Sequence, residues 1–67
     1  MRVEVRKLGL AAYMKMKDVE FKGYDADERH FVFESDRDER EWYVEYLNTD
    51  CHRHDTELMG LRTLMRR

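Results

Sequence analysis

Hydrophobic and charged residues alternate in three segments of the chain. Val3 and Val5 are separated by charged neighbours, and segments 18–24 and 30–34 alternate with the same two-residue period, which is typical of half-buried β-strands. The polar stretch 25–29 has the length and the aspartates of a hairpin connection. The pattern predicts a short N-terminal strand and, later, an antiparallel β-hairpin. The aromatic residues expected on the buried face of the sheet are Phe21, Phe31 and Phe33.

Two other segments have the periodicity of amphipathic helices. Residues 8–16 are mostly helix formers, and Leu10, Tyr13 and Met14 fall on one side of that helix. Near the end of the chain, Asp55 is suited to cap a last helix because its carboxylate can accept from free backbone N–H groups. The apolar stripe predicted on that last helix consists of Leu58, Leu61, Leu64 and Met65.

The strongest local signal is a helix start that follows the hairpin. Ser35 with Asp38, or Asp36 with Glu39, has the spacing of an N-terminal cap, and either choice places acids at the positive end of the helix dipole. The helix predicted from this point ends near Asn48. Its apolar face is expected to contain Trp42, Tyr43, Tyr46 and Leu47.

These elements predict a single small α+β domain over residues 1–67. It consists of a short N-terminal strand and helix, an antiparallel β-hairpin, and two C-terminal helices packed on one face of the sheet. The chain has no proline, no linker-like tract and no repeat, so no internal boundary is expected.

Composition narrows the class of protein. Hydrophobic and charged residues each make up 42% of the 67 residues, and 12% are aromatic, which is too apolar for a disordered chain. No apolar run approaches the roughly 20 residues of a membrane span, and the first residues lack the apolar core of a secretion signal. We therefore expect a cytoplasmic protein with no membrane partner. So small a domain also offers little room to enclose a large cofactor.

Charge is distributed unevenly along the chain. Its net value is -2, but residues 1–24 carry +3, residues 25–50 carry -7 and residues 51–67 carry +2. Such polarity can steer a charged partner or be neutralised by pairing within the fold. The acids concentrated at the start of the second predicted helix are capable of imitating a phosphate backbone and occupying a basic groove on another protein.

The segment 50–55 contains the residue types that bind zinc, including Cys51, His52 and His54, and His30 could add a donor. The paired ligand arms of structural zinc sites are missing, however, so neither a metal nor another cofactor is predicted. Cys51 beside a histidine could also act as a nucleophile. Sequence neighbours rarely reach the alignment that this chemistry needs, and we predict no catalytic residues and no enzymatic activity.

Nucleic-acid binding is the alternative function. Basic residues from both ends of the chain could meet in space, although a pI of about 5.9 is low for a dedicated nucleic-acid-binding protein. The residues that would form this basic patch are Arg2, Arg6, Lys7, Arg62, Arg66 and Arg67.

Four short motifs resemble a family of small uncharacterised proteins from bacteria and their phages. They are Leu10-Ala11-Ala12-Tyr13-Met14, Phe31-Val32-Phe33-Glu34, Tyr46-Leu47-Asn48 and Leu61-Arg62-Thr63-Leu64-Met65-Arg66. Arg53 and His54 depart from the family pattern, in which a valine precedes the acid that starts the last helix. The resemblance implies an accessory protein acting inside a bacterial cell, and it supplies no catalytic residues.

The leading hypothesis is a non-enzymatic phage or bacterial accessory protein that modulates a host or phage protein by occupying its surface. The chain has more large apolar groups than a two-layer domain of this size can bury, and Tyr and Trp are frequent binding anchors. A second copy of the chain is a further candidate partner. The predicted acidic and aromatic contact residues are Asp36, Asp38, Glu39, Glu41, Trp42, Tyr43, Glu45 and Tyr46.

Overall fold

A computed structural model describes residues 1–66 and confirms the α+β class. Three strands and three helices follow one another along the chain. They are β1 (Arg2–Val5), α1 (Leu8–Met16), β2 (Glu20–Asp25), β3 (His30–Glu34), α2 (Glu39–Leu47) and α3 (Asp50–Met65). Among these elements, no helix combines the length and apolarity needed to cross a bilayer.

The three strands form an antiparallel sheet in the order β1-β3-β2. The predicted hairpin is β2 with β3, and β1 adds to the other side of β3, where Val3 lies opposite Phe33 and Val5 opposite Phe31. Directly opposed residues project from the same face of a sheet. Val3, Val5 and Phe33 therefore lie together on the face that the helices cover, and all three are buried. Phe21 lies opposite Phe33 as well, on β2, the strand at the other flank of β3.

The core is small and rich in aromatic rings. Leu10 and Met14 of α1 are completely buried between the sheet and α2. Tyr13 contacts the rings of Trp42 and Tyr46 at centroid distances of 6.4 and 5.7 Å, within the range of favourable tilted ring pairs. The hydrophobic core consists of Val3, Val5, Leu10, Ala11, Tyr13, Met14, Phe33, Trp42 and Tyr46.

Hydrogen-bonding side chains at the ends of α2 and α3 set where these helices begin. Asp38 caps α2 by accepting from the backbone N–H of Glu41 at 2.8 Å, so the helix begins two or three residues later than either predicted cap, Ser35 or Asp36, would place it. Ser35 instead accepts from the Trp42 indole N–H at 3.0 Å. The predicted start of the last helix at Asp55 was wrong, because Thr49 caps α3.

Two predicted apolar surfaces are more exposed than expected. Phe21 is 40% exposed because β2 lies at the edge of the sheet beyond the cover of the helices, and Phe31 on the central strand β3 is half-buried. Of the three phenylalanines, only Phe33 is fully buried. The apolar stripe of the last helix is also not core, since α3 has no buried residue over its 16 positions. The described molecule is elongated, with extents of 41 × 29 × 17 Å.

Two leucines in α1 test the importance of this core. Leu10 is completely buried, whereas Leu8 is 66% exposed. We expect Leu10→Ala to lower the free energy of unfolding by about 2–5 kcal/mol because it leaves a cavity. Leu8→Ala in the same helix should change it by less than about 0.5 kcal/mol. Urea unfolding of both variants provides the measurement, and equal losses would contradict this description of the core.

Candidate functional site

The three helices surround an open groove of about 480 Å³, which we call the helical groove. It lies between the start of α1, the side of α2 and the middle of α3. Its lining is largely apolar, which is typical of a surface that receives another apolar group. The lining residues are Lys7, Leu8, Gly9, Leu10, Ala12, Tyr43, Tyr46, His52, Asp55, Thr56, Leu58, Met59 and Arg62.

One hydrogen bond joins α2 to α3 in the groove. The Tyr46 hydroxyl donates to Asp55 Oδ2 at 2.5 Å, and the Tyr46 ring also makes an edge contact with His52 at 5.3 Å between centroids. Burial of the ring is the main reason that the pKa of Tyr46 is raised above its ordinary value of 10.0, and the bond to the Asp55 carboxylate raises that pKa further. The phenol is therefore neutral at physiological pH and holds the two helices together.

Gly9 allows α1 to approach this hydrogen bond closely. A Cβ at this position would clash with the Tyr46 hydroxyl oxygen and would lie 2.6 Å from Asp55 Oδ2. A carbon and an oxygen that are not bonded cannot approach to this distance without a shift of one of them. Gly9 is thus required where all three helices meet.

The rim of the groove combines exposed apolar side chains with two cations. Leu8, Leu58 and Met59 are 66%, 47% and 61% exposed. Lys7 Nζ lies 4.8 Å from the centroid of the Tyr43 ring, in cation–π contact. Within residues 1–66, neither Lys7 nor Arg62 forms an ion pair. The groove therefore presents an apolar surface with positive charge beside it.

The predicted acidic surface is divided among several roles. Glu45 accepts from the Tyr13 hydroxyl at 2.6 Å and pairs with Arg37 at 3.1 Å, and its bond raises the pKa of Tyr13 to about 12. Asp38 is the α2 cap, and Glu39 is half-buried. Asp38 and Glu39 also line a second concavity of about 430 Å³, together with Arg2, Val3 and Glu4 of β1. The acids left exposed without a structural role in the described contacts are Asp36 and Glu41.

The structure corrects two of the three aromatic anchors predicted from the sequence. Trp42 and Tyr46 are only 8% and 5% exposed, because they point from α2 into the core beside Tyr13. Arg37 covers the outer side of Trp42, with its guanidinium carbon 4.0 Å from the ring centroid. Tyr43 alone is half-buried, and it lines the helical groove.

The predicted basic patch is only partly assembled. Lys7 and Arg62, from opposite ends of the chain, line the same groove. Arg2 is instead paired with Glu4 on β1 at 3.2 Å. Arg6 and Arg66 are exposed outside the groove lining. Arg67 lies outside the described residues.

The residues considered for metal or nucleophilic chemistry lie mainly in the first turns of α3. Cys51 packs against the core and His52 against Tyr46, whereas His54 is 77% exposed beside Asp55. His30 is buried in the sheet, with Nε2 3.4 Å from a Glu4 oxygen. Nowhere in the described part of the chain do three His, Cys, Asp or Glu residues form a group able to hold a metal ion.

Sequence reasoning missed most of the groove. Leu8, Gly9 and Met59 were not predicted as site residues, and their apolar or small side chains carry no chemical motif. The available signal was the surplus of apolar residues on the last predicted helix, because a helix with more apolar positions than its domain can cover must expose some of them.

Comparisons with known proteins identify no relative. No protein family, curated protein or solved structure matches the chain. The resemblance to small bacterial and phage proteins stays a prediction.

Two glycine substitutions test the close approach of the helices. Gly9→Ala should lower the free energy of unfolding by about 1–3 kcal/mol, because the buried Tyr46 ring cannot move aside easily. Gly60→Ala is the matched control, since a Cβ there meets nothing within 4 Å and alanine favours a helix by about 0.5–1 kcal/mol over glycine. Denaturant unfolding of both variants measures the difference. A stabilising Gly9→Ala would contradict the contact.

The Tyr46–Asp55 bond predicts behaviour at alkaline pH. Because the folded pKa of Tyr46 is raised, its contribution to stability is complete below pH 10 and is lost as pH rises beyond that value. Asp55→Asn removes the negative charge, so the pKa of Tyr46 should fall and the alkaline loss should be smaller. Phenolate absorbance against pH measures the first effect, and thermal unfolding against pH the second. Glu57→Gln, an exposed acid on the same helix, should alter neither.

Proposed function

We propose that the protein is a non-enzymatic binding protein that acts in a bacterial cell and modulates a host or phage protein by docking on it through the helical groove. The observation that carries this proposal is the apolar groove itself. Three helices leave Leu8, Leu58 and Met59 exposed around one concave surface, and clustered apolar side chains are a frequent feature of protein interfaces.

The rim of the groove indicates the chemistry of the partner. Lys7 and Arg62 are positively charged beside an apolar surface, and neither is paired with an acid in residues 1–66. A partner segment that inserts apolar side chains and carries carboxylates beside them would satisfy both features. We therefore propose an acidic amphipathic helix as the bound element.

In the proposed complex, the partner contacts the helical groove and not the start of α2. Glu41 and Tyr43 are two residues apart in a helix, so they point to nearly opposite sides. Glu41 therefore lies outside the groove lining, and so does Asp36, which precedes α2. They are tested separately, and Asp38 is left unchanged because its replacement would remove the α2 cap.

The basic residues support nucleic-acid binding less well. Arg2 is paired on β1 while Lys7 and Arg62 are in the groove, so they form no continuous stripe along which a phosphate backbone would run.

Two peptides with identical leucine positions test the chemistry of the groove. One carries glutamate and the other lysine at the remaining helical positions. We expect the acidic peptide to bind at least about tenfold more tightly at low salt, with amide shifts in an NMR titration confined to the helical groove. Leu8→Glu and Met59→Glu should abolish binding, whereas Val44→Glu, at a 54% exposed position outside the groove, should not. Equal binding of both peptides would reject the proposed partner chemistry.

Capture of proteins from a bacterial lysate tests the function. A true partner should be lost with Leu8→Glu, be retained with Val44→Glu, and change its own activity when the purified protein is added. Loss of that partner with Asp36→Lys and Glu41→Lys, but not with Leu8→Glu, would place the contact on the acids instead. Absence of any partner that these variants discriminate would overturn the proposed binding function.

A further inference from the structure

One face of α3 follows the helical groove through the middle of the helix. Residues three or four positions apart lie on the same face of a helix. The groove-lining residues of α3 that have this spacing are His52, Asp55, Thr56, Met59 and Arg62. His52 and Arg62 mark the two ends of this face, which runs for about 15 Å at the rise of an α-helix. A histidine therefore stands at the opposite end of the α3 face from the arginine of the groove rim.

The imidazole of His52 has hydrogen-bonding groups that the fold does not use. The residue is half-buried, and its ring contacts Tyr46 with an interplanar angle of 74°. Its backbone is engaged, since the N–H donates to Thr49 Oγ1 and the carbonyl accepts from the Thr56 hydroxyl. In residues 1–66, neither ring nitrogen of His52 forms a hydrogen bond or an ion pair. The ring is therefore free to donate to a group that enters the groove.

The groups around His52 determine what a charge on its ring would do. The other titratable or charged residues of the groove lining are Lys7 from the start of α1, Tyr43 and Tyr46 from α2, and Asp55 and Arg62 from α3. The Asp55 carboxylate is already engaged, because one oxygen accepts from Tyr46 and the other lies 3.7 Å from His54 Nδ1. Two cations and one carboxylate give the lining a formal charge of +1, which protonation of His52 raises to +2.

We propose that His52 is a third recognition group for the acidic partner helix, and that its protonated imidazole donates a hydrogen bond to a partner carboxylate. This inference rests on the proposed function of the helical groove. A hydrogen bond between two charged groups is stronger than one between neutral groups. The neutral imidazole therefore takes up one proton from solvent when the carboxylate binds, and the proton stays on the ring for as long as the complex lasts.

Proton uptake makes the affinity of the groove depend on pH. Histidine is the side chain that ordinarily gains its positive charge as pH falls from about 8 to about 5. Over the same window, glutamate, lysine and arginine side chains ordinarily stay charged, and the raised pKa of Tyr46 keeps its phenol neutral. By linkage, a ligand that favours the protonated ring binds more tightly where protons are more available. Affinity for an acidic partner therefore rises as pH falls.

Binding of the acidic leucine peptide at two pH values tests the role of His52. We expect the peptide to bind the full chain about three- to fivefold more tightly at about pH 5.5 than at pH 8, at the same low ionic strength, because one charge is added beside its carboxylates. A peptide with glutamine in place of every glutamate should bind equally at both pH values. A gain at low pH that the glutamine peptide shares would attribute the effect to the shape of the groove and overturn the proposal.

Substitutions at two histidines of α3 identify the group that titrates. His52→Gln should still bind the acidic peptide but lose the pH dependence, whereas His52→Arg should bind at pH 8 as tightly as the native chain does at pH 5.5. His54→Gln is the matched control, because His54 is 77% exposed and lies outside the groove lining, and it should keep the full dependence. Circular dichroism verifies that each variant is folded. Loss of the pH dependence with His54→Gln, and not with His52→Gln, would reject the assignment.

Calorimetry of the native chain measures the proton directly and needs no variant. Titrations of the acidic peptide near pH 6.5 in buffers of different ionisation enthalpy should show net proton uptake on binding, and His54→Gln should show the same uptake. Binding of the acidic peptide with equal affinity at both pH values and no proton uptake would reject the role of His52 alone. Absence of binding at either pH value would overturn the proposed function of the groove, and this inference with it.

Discussion

The hydrogen bond from Tyr46 to Asp55 is the constraint on which the arrangement of the helices depends. It joins the buried side of α2 to α3 at a point where Gly9 of α1 leaves no room for a side chain. The acceptor is charged and the donor is largely excluded from water, so breaking the bond would leave a polar group poorly solvated. Because α3 has no buried residue, this contact and the packing of Cys51 and His52 hold it in place.

The position of that contact explains the surfaces that remain. Asp55 lies about one third of the way along α3, so the first turns are held and the later turns extend past the body. On the side facing the body, this leaves the groove between Leu8 and Met59. On the other side, it leaves Leu61, Leu64 and Met65 exposed. Both exposed surfaces therefore follow from one attachment near one end of a 16-residue helix.

The acidic segment illustrates how a fold redistributes charge. Its residues are close in sequence, yet Asp38 caps a helix while Glu45 bridges Tyr13 and Arg37. Such roles reduce the charge available to a partner, because each carboxylate is engaged by a donor in its own chain. The number of acids in a sequence segment therefore exceeds the number of free carboxylates on the surface when some of them cap a helix or pair with an arginine.

The sequence by itself determined the order of strands and helices and the burial of Leu10, Tyr13 and Met14, since period and propensity act between near neighbours. Only the tertiary structure decided that β1 joins β3, that Trp42 and Tyr46 are core, and that Lys7 meets Arg62 beside a groove. These outcomes depend on which faces of the strands and helices pack together, and the elements concerned are far apart in the sequence. A pattern shows that a residue has an apolar side, but the space left by other elements decides whether that side is covered.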